Sequence, residues 1–285
     1  DSFLVLKEKC TDTMFYLFST NTDREIFRFG REGRGVCEFY YPFFLVNSFA
    51  YDSLIIYDSS AATLTKIDLA ALVESRDIAK CANSEHLYRN LNFMYNFNKV
   101  DSAFIGTFIE KDEGLFSFCN RNNGEIKNTD YVPYYFYEKG RKDAYCHHVL
   151  VSEKDNSIIV PFKYMNLINC YDLDGNLKVT YALDWIKEEI NTQSRVDEQT
   201  TVTFYRTYAT RNRCYLVWDG HKIEEELRKY PAKIVVMNWQ GELEKVYQLD
   251  NFADFIIPDE KQRMIYVGVY NAGLEFVEIY KYPML

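Results

Sequence analysis

The first candidate for chemistry is a loop rich in glycine and arginine, "FRFGREGRGVCEF" at 27–39. Backbone N–H groups of glycines, together with Arg31 and Arg34, are suited to surrounding a phosphate. Phosphate loops, however, run from a strand into the N-terminus of a helix. This loop runs into the aromatic segment "CEFYYPFFLV", which contains Pro42. The sequence therefore predicts a structural turn, with Arg31 and Arg34 as candidate ligands for an anion at the surface.

The second candidate is the histidine pair His147 and His148 in "CHHV". Imidazole is a common metal ligand, but adjacent residues of a strand point to opposite faces. We therefore do not expect the two rings to bind one metal ion together, and no metal or cofactor is predicted. One of the two is a candidate for facing a central channel, and a structural or solvated role is the alternative.

The third candidate is an aromatic run, "DYVPYYFY" at 130–137. Tyr134 and Tyr135 lie at its centre and are candidates for an exposed platform on which sugars or peptides stack. Packing in the core is the alternative interpretation of the same residues.

Two familiar site motifs are not matched. The segment "DLDGN" at 172–176 begins like a calcium-binding EF-hand loop, but its twelfth position is Leu183 instead of the glutamate that the ion requires. The G-x-S-x-G motif of serine hydrolases does not occur in the sequence. We interpret 172–176 as a hairpin turn.

Composition favours a β-rich, acidic protein. Its 285 residues include 24 Tyr and 21 Phe, which suit pleated strands, and the net charge is −9. Such a charge repels nucleic-acid phosphates, so nucleic-acid binding is not expected.

The longest strongly apolar stretch, 39–51, contains a proline and is shorter than the roughly 20 residues of a membrane-spanning helix. The seven cysteines are widely spaced, which predicts that most are buried thiols, with a single disulfide as the alternative.

An internal repeat indicates the fold. The segments "GNLKVTYALD" (175–184) and "GELEKVYQLD" (241–250) share Gly, Leu, Tyr, Leu and Asp at the same offsets. Glycines in Asn-Gly, Asp-Gly and Gln-Gly steps at 124, 175 and 241 predict tight turns between strands. Six strand-rich hairpins follow one another, with strands starting near 15, 55, 105, 158, 215 and 265. This spacing is close to the roughly 40–50 residues of a propeller blade. We predict an all-β fold, a six-bladed β-propeller formed as a single domain by residues 1–285.

Short helices are predicted beside this framework. In "DGHKIEEELRKYP", apolar residues at 223, 227 and 230 form a helical stripe, which predicts a helical insertion near 221–230. A second short helix is predicted at 183–190. The segment 66–81 fits either a helix or a strand followed by a loop.

With six hairpins in place, the opening loop resembles one found in TolB-like six-bladed β-propellers of exported Bacteroidetes proteins. In that family, a strand ending in Phe-Gly leads into a loop of the form G-x-G-P-G-E-F. The matching residues are Gly33, Gly35, Glu38 and Phe39, whereas Val36 and Cys37 replace Pro-Gly. The resemblance implies an exported or lipid-anchored propeller, in the periplasm or at the cell surface. It implies no activity.

Two functional hypotheses remain open. The first is a non-catalytic scaffold that binds a protein, peptide or glycan partner at a rim or at the mouth of the propeller channel. The alternative is a metal-dependent, lactonase-like hydrolase that holds Ca²⁺ in the channel. This enzyme needs oxygen ligands from several innermost strands, and the sequence alone places none of them.

Overall fold

The computed structural model describes residues 3–8, 13–35, 37–45, 53–108, 114–132, 145–183, 196–223, 225, 230–271 and 276–284. Tyr134 and Tyr135 lie outside these ranges, as do residues 184–190 of the predicted second helix. Of the predicted insertion near 221–230, residues 224 and 226–229 also lie outside them.

The first two sheets are built from strands in chain order. The first contains β1 (Phe3–Lys7), β2 (Phe15–Ser19) and β3 (Arg24–Phe29), and a short parallel pair follows, β4 (Arg31–Glu32) with β5 (Glu38–Phe39). The second contains β6 (Pro42–Phe44), β7 (Ser53–Asp58), β8 (Thr63–Asp68) and β9 (Ala82–His86). Helices α1 (Leu69–Ser75) and α2 (Ile78–Cys81) connect β8 to β9.

Four more sheets follow. The third contains β10 (Met94–Lys99), β11 (Ala103–Phe108), β12 (Ser117–Asn120) and β13 (Ile126–Asn128), after a 3-10 turn at Arg89–Leu91. The fourth contains β14 (Leu150–Ser152), β15 (Ser157–Pro161), β16 (Ile168–Tyr171) and β17 (Leu177–Tyr181). The fifth contains β18 (Thr201–Ala209), β19 (Arg213–Lys222), β20 (Lys233–Asn238) and β21 (Leu243–Gln248). The sixth contains β22 (Phe255–Asp259), β23 (Met264–Asn271) and β24 (Phe276–Pro283).

Each sheet is an antiparallel meander in which sequential strands pair. Six such sheets in succession are the blades of a six-bladed β-propeller, so the predicted fold class is confirmed. The chain divides into two compact units, Asp1–Lys111 with Phe118–Ile126 and Asp112–Ser117 with Lys127–Leu285. The first three sheets belong mainly to the first unit and the last three to the second.

Burial within a sheet follows the sequence pattern. The continuous apolar strands β15 and β16 are buried along their whole length, whereas the outer strand β21 is exposed at five of its six positions. Continuous apolar runs belong to strands covered on both faces. Charged and polar residues therefore mark the outer strands.

The predicted hairpin turns are confirmed. The glycines at 124, 175 and 241 have φ of 72°, 86° and 86°, the left-handed region that such turns require. A side-chain oxygen closes each turn: Asn120, Asp172 and Asn238 each accept a hydrogen bond from the backbone N–H two residues ahead. The segment 172–176 is thus a hairpin turn.

The segment 66–81 combines a strand end with helices. β8 ends at Asp68, whose side chain caps α1 by accepting a hydrogen bond from the Ala71 N–H at 2.9 Å. Asp77 caps α2 in the same way. No helix in the described part of the chain is long and apolar enough to cross a membrane.

Aromatic packing fills the core of the first unit. The ring of Phe15 stacks on Phe29 at 5.3 Å between centroids and meets Phe39 edge-on at 5.5 Å. Tyr57 and Phe97 stack at 3.9 Å. In the second unit, aliphatic side chains of β19, β20 and β23 form the corresponding core.

Six cysteines lie within the described ranges, and none of them forms a disulfide with another described cysteine: Cys37, Cys81, Cys119, Cys146, Cys170 and Cys214. Four of them are buried, as expected for small apolar side chains. Burial raises the pKa of Cys170 to about 11, which keeps this thiol protonated and unreactive at neutral pH.

Candidate functional site

The glycine–arginine loop contains its own anion. The Glu38 carboxylate accepts hydrogen bonds from the Gly35 N–H and from Arg31 Nε, both at 2.7 Å. The Gly33 backbone also passes so close that a Cβ there would lie 2.1 Å from Glu38 Oε2. These contacts, first the Gly35 N–H and then Arg31, lower the pKa of Glu38. The place that a phosphate would take is therefore filled by an internal carboxylate.

The two arginines of this loop have different neighbours. Arg31 is exposed and pairs with Glu38, whereas the Arg34 guanidinium lies 5.7 Å from the centroid of the Tyr40 ring. The arrangement uses one cation to hold the loop and leaves the other on an aromatic side chain at the surface.

His147 and His148 precede β14 and contact carbonyls on different elements. His147 Nδ1 lies 2.5 Å from the Tyr145 carbonyl oxygen, and His148 Nε2 lies 3.0 Å from the Tyr205 carbonyl oxygen. Since a carbonyl only accepts, each of these nitrogens carries the proton. Burial lowers the pKa of both histidines to about 4, so both are neutral at pH 7.

The carbonyl that His148 reaches belongs to an irregular part of β18. Val202 pairs with His221 and Phe204 pairs with Trp218, so both Asp219 and Gly220 lie opposite the single residue Thr203. A second irregularity follows at once, because Arg206 pairs with Val217 and leaves Tyr205 without an opposite residue. Such bulges re-aim side chains and are frequent beside functional sites.

Gly220 makes the first bulge possible. It has φ of 69°, and a Cβ at this position would lie 2.1 Å from the Trp218 ring. A residue with a side chain would meet both backbone strain and a steric clash. The sequence Trp-Asp-Gly-His thus determines how β19 presents Asp219.

Thr203, which lies opposite the bulge, forms hydrogen bonds with the fourth sheet. Its backbone N–H donates to the Lys163 carbonyl at 2.7 Å. Its hydroxyl lies within hydrogen-bond distance of the carbonyls of Phe162 and Met165, at 2.7 and 2.9 Å. These bonds hold the segment after β15, and with it Lys163, against the bulged strand.

The result is a group of polar residues that we name the Asp219 cluster: Lys163, Tyr205, Arg206, Asp219 and His221. Asp219 is 4% exposed and His221 is 2% exposed. Neither carboxylate oxygen of Asp219 and neither ring nitrogen of His221 has a hydrogen-bond partner among the described residues. Buried polar atoms are normally paired, so each such atom needs an explanation.

Two cations lie around the Tyr205 ring. The Arg206 Cζ atom is 3.5 Å from the ring centroid and Lys163 Nζ is 4.7 Å from it. Arg206 also donates from Nε to the Asp254 carbonyl at 2.6 Å and from Nη1 to the Tyr205 carbonyl at 3.2 Å. The Lys163 ammonium lies 4.7 Å from a second ring, that of Tyr164. Both cations are half-buried.

Burial dominates the electrostatics of Asp219. Desolvation raises the pKa of Asp219 to about 7, while the charges of Arg206 and Lys163 oppose this rise and the charge of Asp254 adds to it. Burial also lowers the pKa of His221. The cluster therefore contains a carboxyl group that exchanges its proton near neutral pH and two side chains with permanent positive charge.

A metal centre is not formed by histidine, cysteine, aspartate and glutamate within the described ranges, where no three of them are close enough to hold an ion. Of the sequence candidates that lie within the described ranges, His148 contacts the cluster, through the Tyr205 carbonyl. Asp219, Lys163, Tyr205 and Arg206 were not singled out from the sequence. The one signal in the sequence that could have indicated the site is the segment Trp-Asp-Gly-His at 218–221, because its glycine does not lie in a hairpin turn.

The chain resembles solved structures along almost its whole length. A member of the DUF4221 family from Bacteroides vulgatus matches with a TM-score of 0.58 at 10% identity, over 99% of this chain and 90% of that one. A Bacteroides fragilis protein whose name assigns it to export matches with a TM-score of 0.48 at 9% identity, over 94% of this chain and 84% of that one. The β-propeller domain of Cps50 from Myceliophteria thermophila also has a TM-score of 0.48 at 9% identity, over 99% and 83% of the two chains.

Of these three structures, only the DUF4221 protein exceeds a TM-score of 0.5, and at its low identity the likeness shows the fold alone. No family model and no curated protein matches the sequence. The class of protein is thus defined by the fold alone, a six-bladed β-propeller.

Proposed function

We propose that this protein is a non-catalytic propeller scaffold that binds a polar group of a partner at the Asp219 cluster. One observation carries the proposal: the side chains of Asp219 and His221 are buried with no hydrogen-bond partner among the described residues. Leaving a buried polar group unpaired costs about 1–3 kcal/mol. A bound group that supplies the missing hydrogen bonds would offset this cost.

The position of the cluster suits a binding role. β15 and β19 end there and β18 begins there, and the ends of strands are where propellers meet their ligands. Half-buried Lys163 and Arg206 lie beside the buried acid. The cluster therefore offers charge near the surface and unsatisfied groups below it.

The charges of the cluster do not favour the lactonase-like alternative. Calcium prefers several carboxylate or carbonyl oxygens. Here two cations act on Asp219, and one oxygen of the second nearby carboxylate, Asp254, already accepts the Tyr270 N–H at 2.6 Å. A divalent cation would meet like charge at this place.

The partner that we propose is a protein, a peptide or a glycan, since each can present such a polar group. Nucleic acid does not suit a chain with a net charge of −9. Membership of the TolB-like family, export to the periplasm or cell surface, and a single domain over residues 1–285 belong to the same proposal. The resemblance of the 29–39 loop supports the family and the export.

The experiment compares binding of three proteins to an array of peptides and glycans. These are the wild type, Lys163→Met, and Lys245→Met as the matched control, whose lysine lies 5.0 Å from the Tyr247 ring on the exposed strand β21. We expect array members that bind the wild type and the control but not Lys163→Met. Equal binding by all three proteins, or binding by none, contradicts the proposal.

A further inference from the structure

The Asp219 cluster contains two positively charged donors, Lys163 and Arg206, that have no carboxylate as an ion-pair partner among the described residues. Within the described ranges, no carboxylate lies within ion-pair distance of Lys163 or Arg206, whose polar contacts are aromatic rings and backbone carbonyls. Half-buried cations normally have a partner, because removing a charge from water is costly unless it is paired. The missing group is therefore an acceptor with negative charge.

Asp219 does not supply that group. Its carboxyl interacts electrostatically with both cations, yet neither of its oxygens receives a hydrogen bond from a described residue. The acid is therefore not hydrogen-bonded to either cation, and its two oxygens keep their capacity for a ligand that the cations attract. A carboxylate fits the two cations by charge and geometry, since it accepts several hydrogen bonds in its plane.

We propose that the Asp219 cluster binds a carboxylate group of the ligand, which Lys163 and Arg206 hold by charge while Asp219 shares one proton with it. This inference rests on the proposed binding role and names the ligand chemistry. The proton comes from solution and no covalent bond is made or broken. Two carboxyl groups in contact cannot both ionise readily, so they retain a proton between them.

The surroundings of Asp219 are consistent with one shared proton. Arg206 faces it from β18, Lys163 from the segment after β15, and Asp254 from the segment before β22. His221 lies two residues away on β19, and His148 interacts with both cations. The two histidines are neutral at pH 7 because burial lowers their pKa. Glu225 acts on His221, and its carboxylate accepts the Lys222 N–H at 2.8 Å. With Asp219 protonated, two positive charges and the negative charge of Asp254 act at its position, which suits a singly charged anion.

The proposal predicts that binding takes up a proton. Free Asp219 loses its proton near pH 7. Binding of a carboxylate then weakens as the pH rises through 7, and affinity at pH 8 is expected to be about tenfold lower than at pH 6. A phosphate or sulfate monoester, which carries more charge or a different shape, gains less from the shared proton.

The test is calorimetric titration at pH 6 and pH 8 with two acids and their uncharged counterparts. D-glucuronate is compared with D-glucose, and N-acetylglycine with N-acetylglycinamide. We expect one acid to bind at least tenfold more tightly than its counterpart. Tighter binding of glucuronate would identify an acidic glycan as the source of the carboxylate. Tighter binding of N-acetylglycine would identify the C-terminus of a peptide.

Variants separate the roles of the side chains. In Asp219→Asn, whose amide donates a hydrogen bond at every pH, we expect the acid to bind with less than twofold change between pH 6 and pH 8. Lys163→Met is expected to lose at least tenfold in affinity, and Lys245→Met to lose nothing. Equal binding of acids and counterparts, no binding of either acid, or a tenfold pH dependence that persists in Asp219→Asn overturns the inference.

The two proposals fail in different ways. If array members are lost in Lys163→Met but acids bind no better than their counterparts, the binding role holds and the carboxylate inference is wrong. If Lys163→Met binds every array member that the wild type binds, the binding role itself is wrong.

Discussion

Two carboxylates in this protein show opposite behaviour. Glu38, in the glycine–arginine loop, accepts hydrogen bonds from Gly35 and Arg31, and its pKa is lowered. Asp219, in the bulge of β19, has no such donors among the described residues, and burial raises its pKa to about 7. The loop resembles an anion site, but its own Glu38 already accepts the hydrogen bonds that an anion would accept. The bulge has no recognisable motif, yet the oxygens of Asp219 have no hydrogen-bond partner among the described residues.

The comparison teaches where to look for a binding site. A motif shows which groups a segment contains, but only the pairing of those groups shows whether any capacity is left for a ligand. Here the unpaired carboxylate belongs to the second unit, whereas the most motif-like segment belongs to the first.

The largest expected effect is that of Asp219→Asn on stability. The folded pKa of Asp219, about 7, lies above its ordinary value of 3.8, so the folded state binds this proton more tightly. The contribution of Asp219 to stability is therefore present at low pH and lost as the pH rises through 7. The loss amounts to about 4 kcal/mol.

We expect Asp219→Asn to equal the wild type near pH 4 and to exceed it by about that amount at pH 8, measured by urea denaturation. A variant less stable than the wild type at pH 8 would show that Asp219 has a stabilising partner. The contrast with Glu38 would then be lost.

The next effect concerns His148, which is buried like Asp219 but has a partner. Its folded pKa of about 4 lies below its ordinary value of 6.5, so the wild type loses stability as the pH falls from 6.5 to 4. His148→Gln retains a donor for the Tyr205 carbonyl and is expected to remove about 3 kcal/mol of this acid-dependent loss. A His148 proton titration by NMR with a midpoint near 6.5 would contradict the burial of the ring.

Gly220 tests whether the bulge requires its glycine. Gly220→Ala places a Cβ against the Trp218 ring at a positive φ, and we expect a loss of about 2 kcal/mol in the free energy of unfolding. Gly175→Ala, in a hairpin turn with φ of 86°, is the matched control and is expected to lose about 1 kcal/mol. Equal losses in the two variants would mean that the Trp218 contact relaxes without cost.

The smallest effect is expected at Glu38. Because its folded pKa is lowered, Glu38 stabilises the fold at neutral pH, and this contribution disappears as the carboxylate is protonated in acid. Glu38→Gln should therefore be slightly less stable than the wild type at pH 7 and equal to it at pH 2.5, in thermal denaturation. Its pH dependence would have the opposite sign to that of Asp219→Asn, and the same sign in both would refute the comparison.

Much of the fold follows from the sequence because its signals are local. The glycines at 175 and 241 require positive φ, and the apolar run "SIIVP" of β15 needs cover on both faces. These features predicted the hairpins and their number. The helix boundaries near 66–81 were left open because the capping residue Asp68 also fits the end of a strand.

The candidate site was beyond sequence reasoning for a physical reason. The burial of Asp219 depends on how β18 pairs with β19. The shift in register between the Val202–His221 and Phe204–Trp218 pairs is a property of the paired strands and not of either segment alone. The predicted insertion also assigned His221 to a helix region, whereas His221 and Lys222 are the last residues of β19. Alternation alone cannot place a bulge, because one extra residue reverses the face of every later side chain.

The hydroxyl of Thr203 has a further consequence. This hydroxyl lies within hydrogen-bond distance of the carbonyls of Phe162, Lys163 and Met165, so the distance between the lysine and the acid depends on how closely two blades pack. The substitution Thr203→Val removes this hydroxyl and would let Lys163 move away from Asp219. Ligand binding would then weaken although both of these side chains are unchanged. Affinity in this protein would then be adjustable through its framework, with every ligand-contacting side chain preserved.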